Sequence, residues 1–125
     1  RVSCGACHSI KGQGGQLGPN LTKIGRIRQP RDLLEAILYP NSTVVNGYEH
    51  YVLETVDGES YGGIIQRETK DAIYLKNASM RGVRVARSQI HRVTTSSISV
   101  MPSGLNQVLS RQELLDLVAF LDTCR

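Results

Sequence analysis

Aromatic residues are scarce: the 125-residue chain has one Phe, five Tyr and no Trp. Such side chains carry much of the area that a small core buries, so a core made from this sequence alone is thin for its length. No apolar run approaches the roughly 20 residues that span a bilayer, which excludes a membrane-crossing helix, and no secretory leader is visible. Charge of one sign is scarce too. Fifteen basic against eleven acidic residues give a net charge of +4, a mild excess that does not by itself imply nucleic acid. At 13.8 kDa the chain has room for one domain, or one small domain carrying a smaller insert.

What is present is concentrated at the start, in Cys4-Gly5-Ala6-Cys7-His8. C-x-x-C-H is the attachment signature for a c-type haem. Cysteines at i and i+3 share one face of a short helix, so both thiols can meet the porphyrin edge and form thioethers with its vinyl groups. His8 then falls under the iron, where a neutral imidazole nitrogen serves as proximal ligand. A structural zinc site would want a second pair of soft ligands, and only Cys124 and two scattered histidines remain. A thioredoxin-like dithiol would want a βαβ context, and the three residues before Cys4 cannot supply a strand. A buried macrocycle would also supply much of the missing apolar contact. Covalent haem attachment takes place outside the cytoplasm, so the expected location is periplasmic or otherwise extracytoplasmic, reached by a targeting segment that this chain does not contain.

Ser9 to Leu21 is rich in Gly and carries Gly18-Pro19-Asn20-Leu21; it reads as loop, with glycines that let backbone approach a flat ligand. Here the sequence resembles the small class I cytochromes c, in which Gly-Pro-x-Leu follows CxxCH. That resemblance implies that the Pro19 carbonyl accepts a hydrogen bond from the far ring nitrogen of His8, fixing its tautomer and ring plane. A plain turn is the alternative reading of these residues.

Pro30 to Tyr39 reads as a helix, with Pro30 at its first position, Asp32 in the first turn, Pro40 as its stop, and an apolar stripe of Leu33, Leu34, Ile37 and Leu38. From Tyr48 the period changes from helical to alternating. Strands are expected at 48–56, 59–66, 72–76, 83–86 and 90–94, with Asp57-Gly58 signalling a type I′ hairpin. Five short strands with Gly62-Gly63 to permit a bend suggest a small twisted barrel, similar to SH3- or Sm-like modules in pattern alone. Sm-type barrels bind RNA, but this stretch carries seven basic and six acidic residues, so no nucleic-acid partner is expected. The basic excess lies in residues 1–45, with six basic and two acidic groups. It reads as a solvated face or as a rim that steers an acidic redox partner.

Helical pattern returns after Met101. Ser110-Arg111-Gln112-Glu113 is a capping box, followed by the stripe Leu114, Leu117, Val118, Leu121. Met101-Pro102-Ser103-Gly104 resembles the Met-Pro-x-Gly ligand loop of class I cytochromes, which implies Met101 as second axial ligand. Met101 lies 93 positions beyond His8, and 40 once residues 46–98 are set aside. Met101 as a core gap-filler is the other reading. Met80, in a hairpin turn, and His50 and His91, on strands, are competitors for that place. Cys124 is left over, free or paired between chains. Arg26, Arg28 and Tyr39 are propionate partners by type only.

The order CxxCH, Gly-Pro-Asn-Leu, Leu-Leu-Glu-Ala-Ile-Leu-Tyr-Pro, a β insert, Met-Pro-x-Gly-Leu and a Leu-rich last helix is similar to haem-binding domains of planctomycete and verrucomicrobial proteins, often the C-terminal part of longer chains. The resemblance implies an α+β chain: a mainly helical cytochrome c fold at 1–45 and 99–125, lacking the helix that leads into CxxCH, interrupted at 46–98 by a five-stranded barrel-like module. Truncation before the motif, or cover from another chain or a second copy, would account for the missing helix. The function it implies is single-electron transfer to and from redox partner proteins, with haem c on Cys4 and Cys7, iron held by His8 and Met101, and Pro19 behind His8. It is then an electron carrier and not itself an enzyme. Two other readings stay open: a gas-binding, sensing or weakly peroxidatic haem with an open sixth site, and an interaction module whose insert docks a partner.

Overall fold

A computed structural model of the chain describes residues 3–125. The chain divides into two compact units, one made of residues up to Thr43 together with Met101–Arg125, the other of Val44–Val100.

The first unit opens on a 3-10 turn at Cys4–Ala6, then a two-stranded antiparallel sheet of β1 (Ser9–Ile10) and β2 (Gln13–Gly14). Its helices are α1 (Ile24–Ile27), α2 (Pro30–Leu38), α3 (Leu105–Val108) and α4 (Arg111–Asp122). α2 starts where Pro30 presets the first turn and Asp32 Oδ2 accepts from the Gln29 amide at 3.2 Å. α4 is capped reciprocally: Ser110 Oγ accepts from the Glu113 amide at 3.1 Å, and the Ser110 amide donates to Glu113 Oε1 at 2.9 Å. Leu33 and Ile37 of α2, Leu105 of α3, and Leu114, Val118 and Leu121 of α4 form the core. Met101 packs against it, half-buried. α1 and α4 approach closely at Gly25: its amide donates to Cys124 O at 2.7 Å, and a methyl group there would fall 2.3 Å from Asp122 O.

The second unit is one antiparallel sheet of β3 (His50–Thr55), β4 (Ser60–Glu68), β5 (Ala72–Lys76), β6 (Gly82–Ala86) and β7 (Ile90–Thr95), in the spatial order β6-β5-β4-β3-β7. Alternation sends Leu53, Ile73, Leu75 and Val85 to the buried face. A 3-10 turn at Arg87–Gln89 is all that joins the two edge strands. Flat, they would stand about 19 Å apart, whereas four residue steps reach about 14 Å, so the sheet curls. Register shifts at Glu54/Thr55 and Ile65/Arg67 bend it, and Gly63 lets β5 close in, since a methyl there would fall 2.5 Å from Lys76 O.

Three expectations are corrected. Among the described residues the chain is mostly β, with four short helices, two of them single turns, and is not a mainly helical cytochrome fold. α1 ends at once because Arg28 is extended ahead of Gln29-Pro30, and α3 ends because Leu109 is extended ahead of the Ser110 cap. The five strands do not close into a barrel either: β6 and β7 curl toward one another without pairing. The β3–β4 turn also differs from the expected type I′. Only Gly58 has positive φ (+87°), and its amide donates to Thr55 O at 3.1 Å. Thr55 Oγ1 donates to the Asp57 carboxylate, which holds that carboxyl below its ordinary 3.8, so the link is complete above that pH and loosens as the pH falls through the lowered value.

Two substitutions test this packing. Gly25→Ala should lower stability by about 1–3 kcal/mol in denaturant unfolding, because α1 and α4 must separate. Gly58→Ala should lower it by about 1 kcal/mol, the cost of a left-handed alanine.

Candidate functional site

Cys4, Cys7 and His8 lie together because the chain turns at once. The amides of Cys7 and His8 both donate to Cys4 O, at 3.1 and 2.9 Å. All three side chains are half-buried, and neither thiol is in a disulfide. The geometry is one 3-10 turn rather than a helix.

The following loop straps this turn. Lys11 (φ +50°) and Gly12 (φ +80°) make the tight corner of the β1–β2 hairpin, with the two positive φ values of a type I′ turn. The Gly15 amide donates to Gly5 O at 2.9 Å, Gly18 to Cys7 O at 2.8 Å, and Leu21 to Ser9 O at 2.8 Å. Thr22 Oγ1 accepts from the Lys11 amide at 2.8 Å and donates to Asn20 Oδ1 at 2.6 Å. Backbone comes so near that methyl groups on Gly14 and Gly15 would fall 2.1 Å from His8 O and 2.0 Å from Ala6 O. Leu17 is buried, anchoring the far side of the loop.

The loop acts on His8 in two ways. His8 Nδ1 lies 2.8 Å from Pro19 O; a carbonyl oxygen only accepts, so Nδ1 carries a proton, and in the neutral ring the lone pair is then on Nε2. Gly18 lies against the ring, where a methyl would fall 2.5 Å from Cε1 and 2.9 Å from Nε2. Both the tautomer and the ring plane are thus set by neighbouring backbone.

Cys4, Cys7, His8 and Pro19 are therefore brought together. Met101 belongs to the same unit, packed on the helical core ahead of Gly104, whose φ of +81° starts α3. Arg26 and Arg28 are exposed and Tyr39 is 64% exposed, with nothing that gathers them. Cys124 is buried, its thiol 3.6 Å from Phe120 O. His50 is occupied in the strand unit by Ile98 O at 3.0 Å, His91 is exposed on β7, and Met80 sits in the β5–β6 turn at φ +63°. A recess of about 390 Å³ beside β3 and β7, lined by Glu54, Thr55, Ser60 and His91 among others, holds none of the expected haem residues.

Among the described residues, no three His, Cys, Asp or Glu side chains gather as a metal-ion site. A haem needs no such group, since the porphyrin brings four nitrogen ligands and the protein adds only axial ones. The donor set at residues 4–8 fits that requirement: two accessible thiols, one oriented imidazole, and glycine backbone on one side. The roles of Gly14, Gly15 and Gly18 were not separable in the sequence, where a Gly-rich run marks flexibility as readily as close approach. Compared with known proteins, the chain matches no family model and no curated protein.

Gly18→Ala should displace the imidazole from Pro19. In ¹⁵N NMR the His8 ring should lose its single Nδ1–H tautomer and become a mixture. An unchanged pattern would contradict the packing argument.

Proposed function

We propose that the chain carries haem c on Cys4 and Cys7, with His8 as proximal ligand and Met101 as the second axial ligand, and that it passes single electrons between redox partner proteins outside the cytoplasm. One observation carries this reading: His8 is oriented by Pro19 O at 2.8 Å on one ring nitrogen, leaving the other as the lone-pair donor of the neutral ring, on the residue that directly follows Cys7. An imidazole held only for stability needs no glycine against its face, where Gly18 lies. When bound, haem supplies one-electron Fe(II)/Fe(III) exchange. The chain's own part is to hold the thiols within one turn, donate from Nδ1 to a carbonyl so that Nε2 is the more basic donor, cover one side of the ring with Gly18, and hold the turn with Gly14 and Gly15 against the main chain of residues 5–8. A thioether from Met101 would raise the reduction potential and close the iron to small molecules.

Met101 also packs on the helical core with Leu105 and Leu114. That observation favours a second reading, in which Met101 only fills the core and the sixth position is open to gases or peroxide. Met101→Ala separates the two. If Met101 ligates, the variant loses the thioether charge-transfer band in the red and its ferrous form binds CO readily. If the spectrum and CO reactivity stay as in the parent, the electron-carrier reading fails at that ligand. Cys4→Ser with Cys7→Ser should release the pigment into acidified acetone, where the parent retains it; retention by the double variant would contradict attachment.

A further inference from the structure

The strand unit carries a second arrangement that the haem reading does not use. Side chains alternate along β5, so Tyr74 and Lys76 point away from the core that Ile73 and Leu75 enter. Tyr74 is in register with Arg67 of β4 on one side and Arg84 of β6 on the other. The Arg67 guanidinium lies 4.2 Å from the centre of the Tyr74 ring and that of Arg84 lies 6.0 Å from it. Arg84 Nε also donates to the phenol oxygen at 3.3 Å. Three strands thus hold two cations on one aromatic ring. Neither has a carboxylate partner: among the described residues, the ion pairs of this unit are Arg87–Glu68 and Arg92–Glu54. The hydrogen bond from Arg84, and then Arg67, holds the Tyr74 phenol below its ordinary 10.0, which registers the positive field at this point.

An exposed arginine usually loses rotamer freedom when it binds an anion. Here stacking and the cross-strand register have already ordered both forks, and a guanidinium has five N–H donors, of which Arg84 spends one on Tyr74. The shape that such a fork matches is a planar oxyanion taken bidentately. We infer that the β4–β5–β6 face is a docking surface for a carboxylate-rich segment of a partner protein, whose Asp or Glu side chains are gripped by Arg67 and Arg84. Phosphate-bearing nucleic acid fits less well for two reasons. A base needs a free aromatic face to stack on, and at Tyr74 it would compete with Arg67, 4.2 Å from the ring centre, and Arg84, 6.0 Å from it. Residues 44–100 also carry seven basic against six acidic groups, so the wider field needed to bind a polyanion through its backbone is lacking. The charge is local, which suits a few carboxylates and not a long polyphosphate. The inference stands apart from the haem reading, since it rests on no residue of that site.

The test is titration of the 125-residue chain with a poly-L-glutamate peptide at low ionic strength, followed by amide NMR. Shift changes should centre on Arg67, Tyr74 and Arg84, and Arg67→Gln with Arg84→Gln should weaken binding about tenfold or more. Removing two charges elsewhere on the surface, by Arg31→Gln with Arg111→Gln, should weaken it less than about threefold. Should the glutamine pair fail to fold, Arg67→Lys with Arg84→Lys keeps the charge and loses the fork, and should still weaken binding severalfold. Absence of binding, equal weakening by the control pair, shifts centred elsewhere, or tighter binding of a single-stranded oligonucleotide than of the peptide would each overturn the inference.

Discussion

The hydrogen bond from His8 Nδ1 to the Pro19 carbonyl is the constraint on which residues 4–22 depend. For it to form, the chain must return over its own beginning within eleven residues. That return requires the left-handed pair Lys11-Gly12, close backbone contacts at Gly14, Gly15 and Gly18, and the anchoring of Leu17 and Leu21. Each is a cost in local conformational freedom, and each is explained by one outcome: an imidazole of fixed tautomer beside two thiols. A chain selected only for stability would have simpler ways to pass from a 3-10 turn to a helix.

The two units solve their thin aromatic content differently. The strand unit curls over Leu53, Ile73, Leu75 and Val85, and needs no Phe or Trp to do so. The helical elements rely on close approach, with Gly25 letting α1 meet the end of α4, and on capping at Ser110 and Gln29-Pro30. Two of the four helices last one turn, so it is packing of Leu21, Ile24, Leu105 and Leu109 on the longer pair that holds them.

Much of the local structure was legible in the residues. Pro30 and Asp32 mark the start of α2, the Ser110/Glu113 pair marks α4, and the alternation of Ile73, Leu75, Val83 and Val85 marks strands, because caps and period-two burial are written in neighbouring positions. Fold class was not. The mainly helical fold came from resemblance and not from helical periodicity around Ile24 or Leu105, where extended residues at Arg28 and Leu109 cut α1 and α3 to one turn each. The pattern of five strands likewise could not show whether β6 and β7 pair, since closure depends on accumulated curl and not on any one residue. Turn chemistry misled once: Asp57-Gly58 is the stronger type I′ signal, but the two positive φ values fall at Lys11-Gly12, where bonds from Thr22 and Leu21 override the preference of a lysine. The Arg67-Tyr74-Arg84 row was hidden because it needs three strands in a particular register.

Cys4, Cys7 and His8 lie within five residues, so their spacing alone suggests a chemistry, whereas Pro19 was implied by resemblance, with a plain turn as the other reading. Met101 is separated from them by the whole strand unit, so its part rests on chain distance and on resemblance. The account as a whole turns on a porphyrin joined to Cys4 and Cys7. The most direct measurement is the intact mass and visible spectrum of the chain made in a host with extracytoplasmic haem-attachment machinery. The account predicts an added mass of one haem, located by proteolysis on the peptide holding residues 4–8, with a Soret band. The unmodified mass with no Soret band, under conditions where a known c-type cytochrome is loaded, would contradict it.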